Sequence, residues 1–284
     1  MKALIVNGDD FGLTAGVNRA IIEAHTRGIL TSATIMANMP AFDEAMRLAK
    51  AHPSLGVGLH FNITQGRPIA EPAHVRSLLD ERGEFLGTST ALLRRALLGK
   101  LRVEEVRIEL RAQLEKVLQA GLRLTHVDSH KHAHALPPVF AAIADTVSEF
   151  GIRAMRLPVE RWRVAHATTP KLLKQGMVAS CLAQFGRVNG AKLRRANLKS
   201  TDAFFGIVQT GFWSEDWLIR LIESLPEGAS ELMCHPGYED SELAQVKTRL
   251  RQSRLEELTL LTAPKVVEAV RRSNVQLISY TRLG

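Results

Sequence analysis

Ala3 to Asn7 is a short, mostly apolar run that ends on Gly8, Asp9 and Asp10. After it the period changes, with Val17, Ala20, Ile21 and Ala24 recurring at helical spacing. A strand, a polar exit and a helix are predicted there, and the unit repeats. Thr31 to Ala37 reads as a strand, Phe42 to Ala51 as a helix, and Leu55 to His60 as a strand running out into Phe61 and Asn62. Helices are predicted over 89–98 and 103–120, then a strand from Leu124 to His130. Pro137 and Pro138 open a helix through Phe150, and Arg153 to Leu157 makes another strand. Ser230 to Cys234 and Val275 to Ser279 complete the set, separated by an amphipathic stretch over 242–272. The polar stretch from Arg67 to Glu84, with Pro68, Pro72 and Gly83, is the nearest thing to a linker.

Strands alternating with helices imply parallel pairing, because each crossover helix returns the chain to the same edge of the sheet. About seven mostly parallel strands in one α/β domain spanning 1–284 fit a (β/α) barrel-like, TIM-barrel-like fold, with an open doubly wound sheet as the alternative. In either fold chemistry sits at the carboxyl ends of the strands, where Asp9, Asp10, His60, His130 and His235 all fall.

Composition narrows the class. Hydrophobic residues at 45% and charged residues at 23% provide an ordinary core and exclude disorder. Two cysteines, an early polar exit from the first apolar run and no apolar stretch near ~20 residues lead to the expectation of a cytosolic, reduced protein without a membrane span. The net charge of +8 is local: residues 151–200 hold eleven Lys or Arg and one acid, Glu160, so the rest of the chain is slightly acidic. Residues 160–200 therefore read as a basic helical insertion or lid, in which Leu172, Leu173, Met177, Val178, Cys181, Leu182 and Phe185 form an apolar stripe. That segment suits contact with a lipid-linked or anionic glycan, at the membrane's inner face through 170–200, and equally a helix packed on the barrel with its basic face in water.

The chemistry concentrates in four segments. Adjacent carboxylates at Asp9 and Asp10 can hold a cation and act as a base, or cap a helix. His60 ends a Gly-bracketed apolar strand, where an imidazole faces either a ligand or a backbone carbonyl. Between His126 and His134 lie four of the ten histidines; if the run stays extended, residues 126, 128, 130, 132 and 134 share one face, and burying them favours a metal or catalytic site. A catalytic metal takes three protein ligands and leaves positions open, so the surplus His and Asp128 read as partners that orient the ligands. His235, before Pro236 and Gly237, can donate a proton or cap its turn.

The segments Leu4 to Leu13, Gly58 to Phe61, Thr125 to His132 and Glu231 to Gly237 together resemble the YdjC-like carbohydrate deacetylases, the family of chitooligosaccharide and hopanoid-associated deacetylases. The resemblance implies a barrel-like deacetylase domain that hydrolyses the N-acetyl group of an amino sugar. It implies Asp10, His60 and His130 as metal ligands, Asp9 as general base, a protonated His235 as general acid, and Asp128, His132 and Arg156 as orienting partners. One divalent cation is expected; two imidazoles and a carboxylate suit Zn²⁺, Co²⁺ or Mn²⁺, and the family is associated with Mg²⁺. A homodimer is the family expectation. Two rival classes are a metal-dependent phosphoesterase, which needs carboxylates bridging two ions, and a polyanion or RNA binder built on the basic segment. Only 5% of residues are aromatic, too few for a base-stacking platform, so no nucleic acid is expected.

Overall fold

A computed structural model describes residues 1–161 and 169–283. Its elements run β1 (Lys2–Phe11), α1 (Ala15–Arg27), β2 (Ser32–Ile35), α2 (Phe42–Ala51), β3 (Gly56–Phe61), α3 (Ser89–Leu97), α4 (Val103–Gln119), β4 (Val127–Ser129), α5 (Pro137–Glu149) and α6 (Pro170–Arg195). They continue with β5 (Ala203–Phe205), α7 (Glu215–Glu223), β6 (Gly228–Cys234), α8 (Ser241–Gln245), α9 (Gln252–Leu261), α10 (Pro264–Arg272) and β7 (Gln276–Leu277). All named strand pairs are parallel, in the order β4-β3-β2-β1-β6-β5, and β7 joins β1. The α/β, seven-stranded, barrel-like expectation holds. No described helix is long and apolar enough to cross a membrane.

The predicted strand over Arg153–Leu157 is reduced to single bridges, Val127 with Met155 and Ala154 with Lys199. These bridges span the gap between β4 and the approach to β5, so the sheet curls towards closure without continuous pairing there. Each side of the sheet has its own burial. Outward faces meet α1, α2, α4 and α5 in one large apolar core. The inward face changes from apolar to charged along the strands: Ile5 packs with Ala154, Ile278 and Tyr280 at the amino end, whereas Asn7 and Asp9 follow at the carboxyl end. Tyr280 stacks on His126 with ring centroids 3.7 Å apart and donates to Glu231 at 2.5 Å, so the chain's last turn closes the amino end.

Three expectations need correction. The histidine run is not extended throughout: β4 stops at Ser129, and a 3-10 turn over His130–Ala135 carries Lys131 and His132 at φ of 54° and 51°. The residues from 126 to 134 therefore do not share one face. The stretch from Arg67 to Glu84 is no linker, since Val75, Leu78 and Leu79 enter the core and Glu109 accepts the amides of Ile69 and Ala70. In the basic segment, residues 162–168 lie outside the described ones, and the expected apolar stripe is split: Leu172, Leu182 and Phe185 pack against the body of the domain, whereas Cys181 is exposed. The helix packs through Gly176, Ala179, Gly186, Asn189 and Leu193 and leaves Leu173, Met177 and Val178 exposed. Small residues on that side allow close approach; a side-chain carbon added at Gly186 would fall within 2.1 Å of Val159.

Gly58 of β3 has a similar function inside the sheet, where an added carbon would lie 2.5 Å from the His126 ring and 2.7 Å from its carbonyl oxygen. Because the neighbour is partly backbone, it cannot swing away. Gly58→Ala should destabilise the fold by about 1–3 kcal/mol, read as a lower denaturation midpoint at unchanged slope.

Candidate active site

Strand alternation places Ile5, Asn7 and Asp9 on the inward face of β1 and should turn Asp10 outward. A register shift between Gly8 and Phe11 breaks the alternation, and Asp10 takes a φ of 69°, the left-handed region that Asp tolerates better than most residues. Two neighbouring carboxylates thus reach one site. His60 and Asp128 meet for a simpler reason, being register partners on β3 and β4.

Arg156 binds the inward carboxylates together. The guanidinium donates to both oxygens of Asp9 at 2.8 and 2.7 Å, donates to Glu231 at 2.8 Å and pairs with Asp128 at 2.6 Å. It is fully buried, placed by the bridge of its segment to Val127. Burial would raise the Asp9 pKa, yet the Arg156 charge and hydrogen bonds hold it below the usual carboxylate range. Asp10 is likewise lowered against its burial, here by Arg254 and His130.

Asp10, His60 and His130 offer ligand atoms to one point. His130 Nδ1 lies 2.9 Å and His60 Nε2 3.4 Å from Asp10 Oδ1, an oxygen buried without an aligned hydrogen-bond donor. The opposite edges of both rings are engaged: His60 Nδ1 is 2.7 Å from Asp128 Oδ1, and His130 Nε2 is 3.2 Å from Gln65 Oε1. Carboxylate and amide oxygens only accept, so each ring presents its other nitrogen inward as a lone pair in the neutral form. Without a metal the site draws a proton instead. Burial lowers the His60 pKa, but the Asp128 and Asp9 carboxylates outweigh it and lift His60 to about 10. Three donors sharing a charge deficit fit one divalent cation. Asp9, His60 and Asp128 also lie within reach of one another, but the Arg156 guanidinium already bonds those two carboxylates and neutralises part of their charge, which disfavours a second cation there.

His235 stands across from these ligands, its Nε2 4.0 Å from Asp9 Oδ2. Burial lowers its pKa to about 4, with Arg254 and His60 acting the same way against Asp9 and Asp10. At neutral pH the imidazole is uncharged, where a protonated one was expected. His132 contributes no hydrogen bond to the ligands; it packs edge-on to Phe204 and His134, and its Nδ1 is buried without a partner.

Besides Gln65 and Glu231, two further residues of the site were not anticipated. Arg254, 1% exposed, donates to Asp10 Oδ2 at 2.5 Å, and Glu257 accepts the backbone N–H of His235 at 2.6 Å. Both lie on α9, within the stretch over 242–272 that was read only as amphipathic. The available signal was periodic: residues 254, 257, 258 and 261 form one helical face, and two charges share it with two leucines.

Comparison with known proteins agrees across the whole length. A family model described as YdjC-like protein matches residues 3–272. A protein of Geobacillus stearothermophilus named carbohydrate deacetylase is 39% identical over 277 residues, covering 97% of this chain and 96% of its own. One from Yersinia enterocolitica named chitooligosaccharide deacetylase is 33% identical, covering 99% of this chain and 98% of its own. The solved structure of an Enterococcus faecalis V583 protein, provisionally named for cellobiose-phosphate cleavage, superposes with a TM-score of 0.80 at 26% identity, covering 100% of this chain and 99% of its own.

Asp128→Asn tests the donor arrangement. The amide can donate to His60 Nδ1, which transfers the ring proton to the inward nitrogen. Metal affinity should fall about 10- to 100-fold in a chelator-competition titration.

Proposed function

We propose that this chain, which belongs to the YdjC-like family, is a metal-dependent carbohydrate N-deacetylase, an amide hydrolase that removes the acetyl group from an amino sugar. The observation that carries the reading is the meeting of Asp10, His60 and His130 around one point with Asp9 and His235 facing it. The relatives' names supply the substrate class, an acetylated carbohydrate.

Asp10, His60 and His130 would hold the cation; Zn²⁺, Co²⁺ and Mn²⁺ suit this donor set, and Mg²⁺ is the other candidate. A divalent ion there makes water more acidic and polarises an amide carbonyl. Asp9 takes the water proton. Its two oxygens are fixed by Arg156, so it stays ionised at neutral pH and is oriented rather than strongly basic. His235 starts uncharged, so the proton it gives to the departing amine must first reach it. The 4.0 Å gap to Asp9 Oδ2 is one that a small side-chain shift or a bridging water closes, so a single proton travels from water through Asp9 and His235 to nitrogen. Arg156, Asp128 and Glu257 hold the participants in place without joining the proton path.

Free acetate measured over N-acetylglucosamine, chitooligosaccharides and lipid-linked amino sugars tests the activity. Release from at least one, abolished by a chelator and restored by a divalent ion, is the expected result; no release from any, or release indifferent to chelator, rejects the reading. Asp9→Asn should lower turnover by about 10²–10⁴-fold while metal content stays nearly intact. Parallel loss of both would move Asp9 into the ligand set.

A further inference from the structure

Arg254 is in an unusual place for a buried cation, because it contacts a carboxylate that also faces a metal site. Its Nη2 donates to Asp10 Oδ2 at 2.5 Å and its Nε donates to the Leu250 carbonyl at 3.2 Å. The residue is 1% exposed; the Gly237 amide donates to its backbone carbonyl, and the absence of a side chain at Gly237 leaves room for its methylenes, since an added carbon there would lie 2.9 Å from Arg254 Cδ. The two oxygens of Asp10 are therefore unequal. Oδ2 is occupied by a guanidinium, while Oδ1 alone faces His60 Nε2 and His130 Nδ1.

We infer that Arg254 is a positioning residue that makes Asp10 a one-oxygen ligand, leaving a coordination position for water or substrate that a two-oxygen carboxylate would fill. This rests on the metal site proposed above. Among the described residues, the Asp10 carboxylate has no other hydrogen-bond partner on Oδ2, so without the guanidinium both oxygens are free to rotate onto one cation. Arg254 also places positive charge next to the site, which opposes the ion it helps to present. Removing Arg254 should therefore weaken catalysis without weakening ion binding, whereas a purely structural residue would weaken both.

The test uses Co²⁺ as the probe, read by its visible absorption and by equilibrium dialysis on the full chain. Arg254→Met should bind Co²⁺ at least as tightly as the unmodified protein, with lower visible absorption because the ion has gained an oxygen. Arg254→Lys, whose ammonium can still reach Oδ2, should keep the original spectrum. If the Met variant does not fold, Arg254→Gln takes its place, being polar but too short to reach Oδ2, and should show the same loss of absorption. An unchanged spectrum in the Met or Gln variant, or loss of Co²⁺ binding in both, overturns the inference. Failure of the unmodified protein to bind Co²⁺ or any divalent ion would instead reject the metal site itself.

Discussion

Burying charge is the constraint from which the site follows. Asp9, Asp10, Asp128 and Glu231 are all out of water, and among the described residues two guanidinium groups, Arg156 and Arg254, are buried with them. Arg156 touches three of the four acids, drawn from β1, β4 and β6, so it fixes the relative position of three strands as well as the charge between them. Removing one member of such a network leaves the others uncompensated, typically at about 3–5 kcal/mol. The gap between β4 and β5, bridged by single residues, is where backbone pairing is thinnest, and the Arg156 side chain crosses the interior from there. Side-chain ion pairs there contribute what continuous strand pairing provides elsewhere.

Legibility followed burial. The strand exits could be read because apolar runs end abruptly on Asp or His, and a charged side chain at the end of a buried strand has few places to point. Asp9, Asp10, His60, His130 and His235 were all visible on that ground and converge in the structure. Arg254 and Glu257 were invisible for the opposite reason. In an amphipathic helix a charge defaults to solvent, and only its place on the leucine face distinguishes a buried one.

One shared face for the histidine run depended on its staying extended, as alternating polar residues suggest, but the run is ended by a pair of left-handed residues at Lys131 and His132, neither of them glycine. Local propensity gives no warning of such a turn; the Ser129 hydroxyl, which accepts from the His134 amide, holds it from within the run, and the Ser89 hydroxyl, which donates to the Lys131 carbonyl, holds it from α3. On α6 hydrophobicity marked only part of the packed face: Leu172, Leu182 and Phe185 do pack, but a helix that approaches closely buries its smallest residues most completely.

The adjacent pair Asp9 and Asp10 shows how far environment, rather than identity, assigns a role. Both are aspartates, both are buried and both are held ionised, yet one is clamped at both oxygens by Arg156 and the other at only one by Arg254. A carboxylate with both oxygens hydrogen-bonded to a guanidinium cannot turn to embrace a cation, but a remaining lone pair can still take a proton along a fixed direction. A carboxylate with one oxygen left without a donor can accept a cation along a single line. The backbone supplies the difference in aim through the bulge at residue 10, and the two arginines supply the difference in chemistry. The opposite functions proposed for these consecutive residues therefore need no difference in side chain, only two cations brought from distant parts of the chain, one before β5 and one from α9.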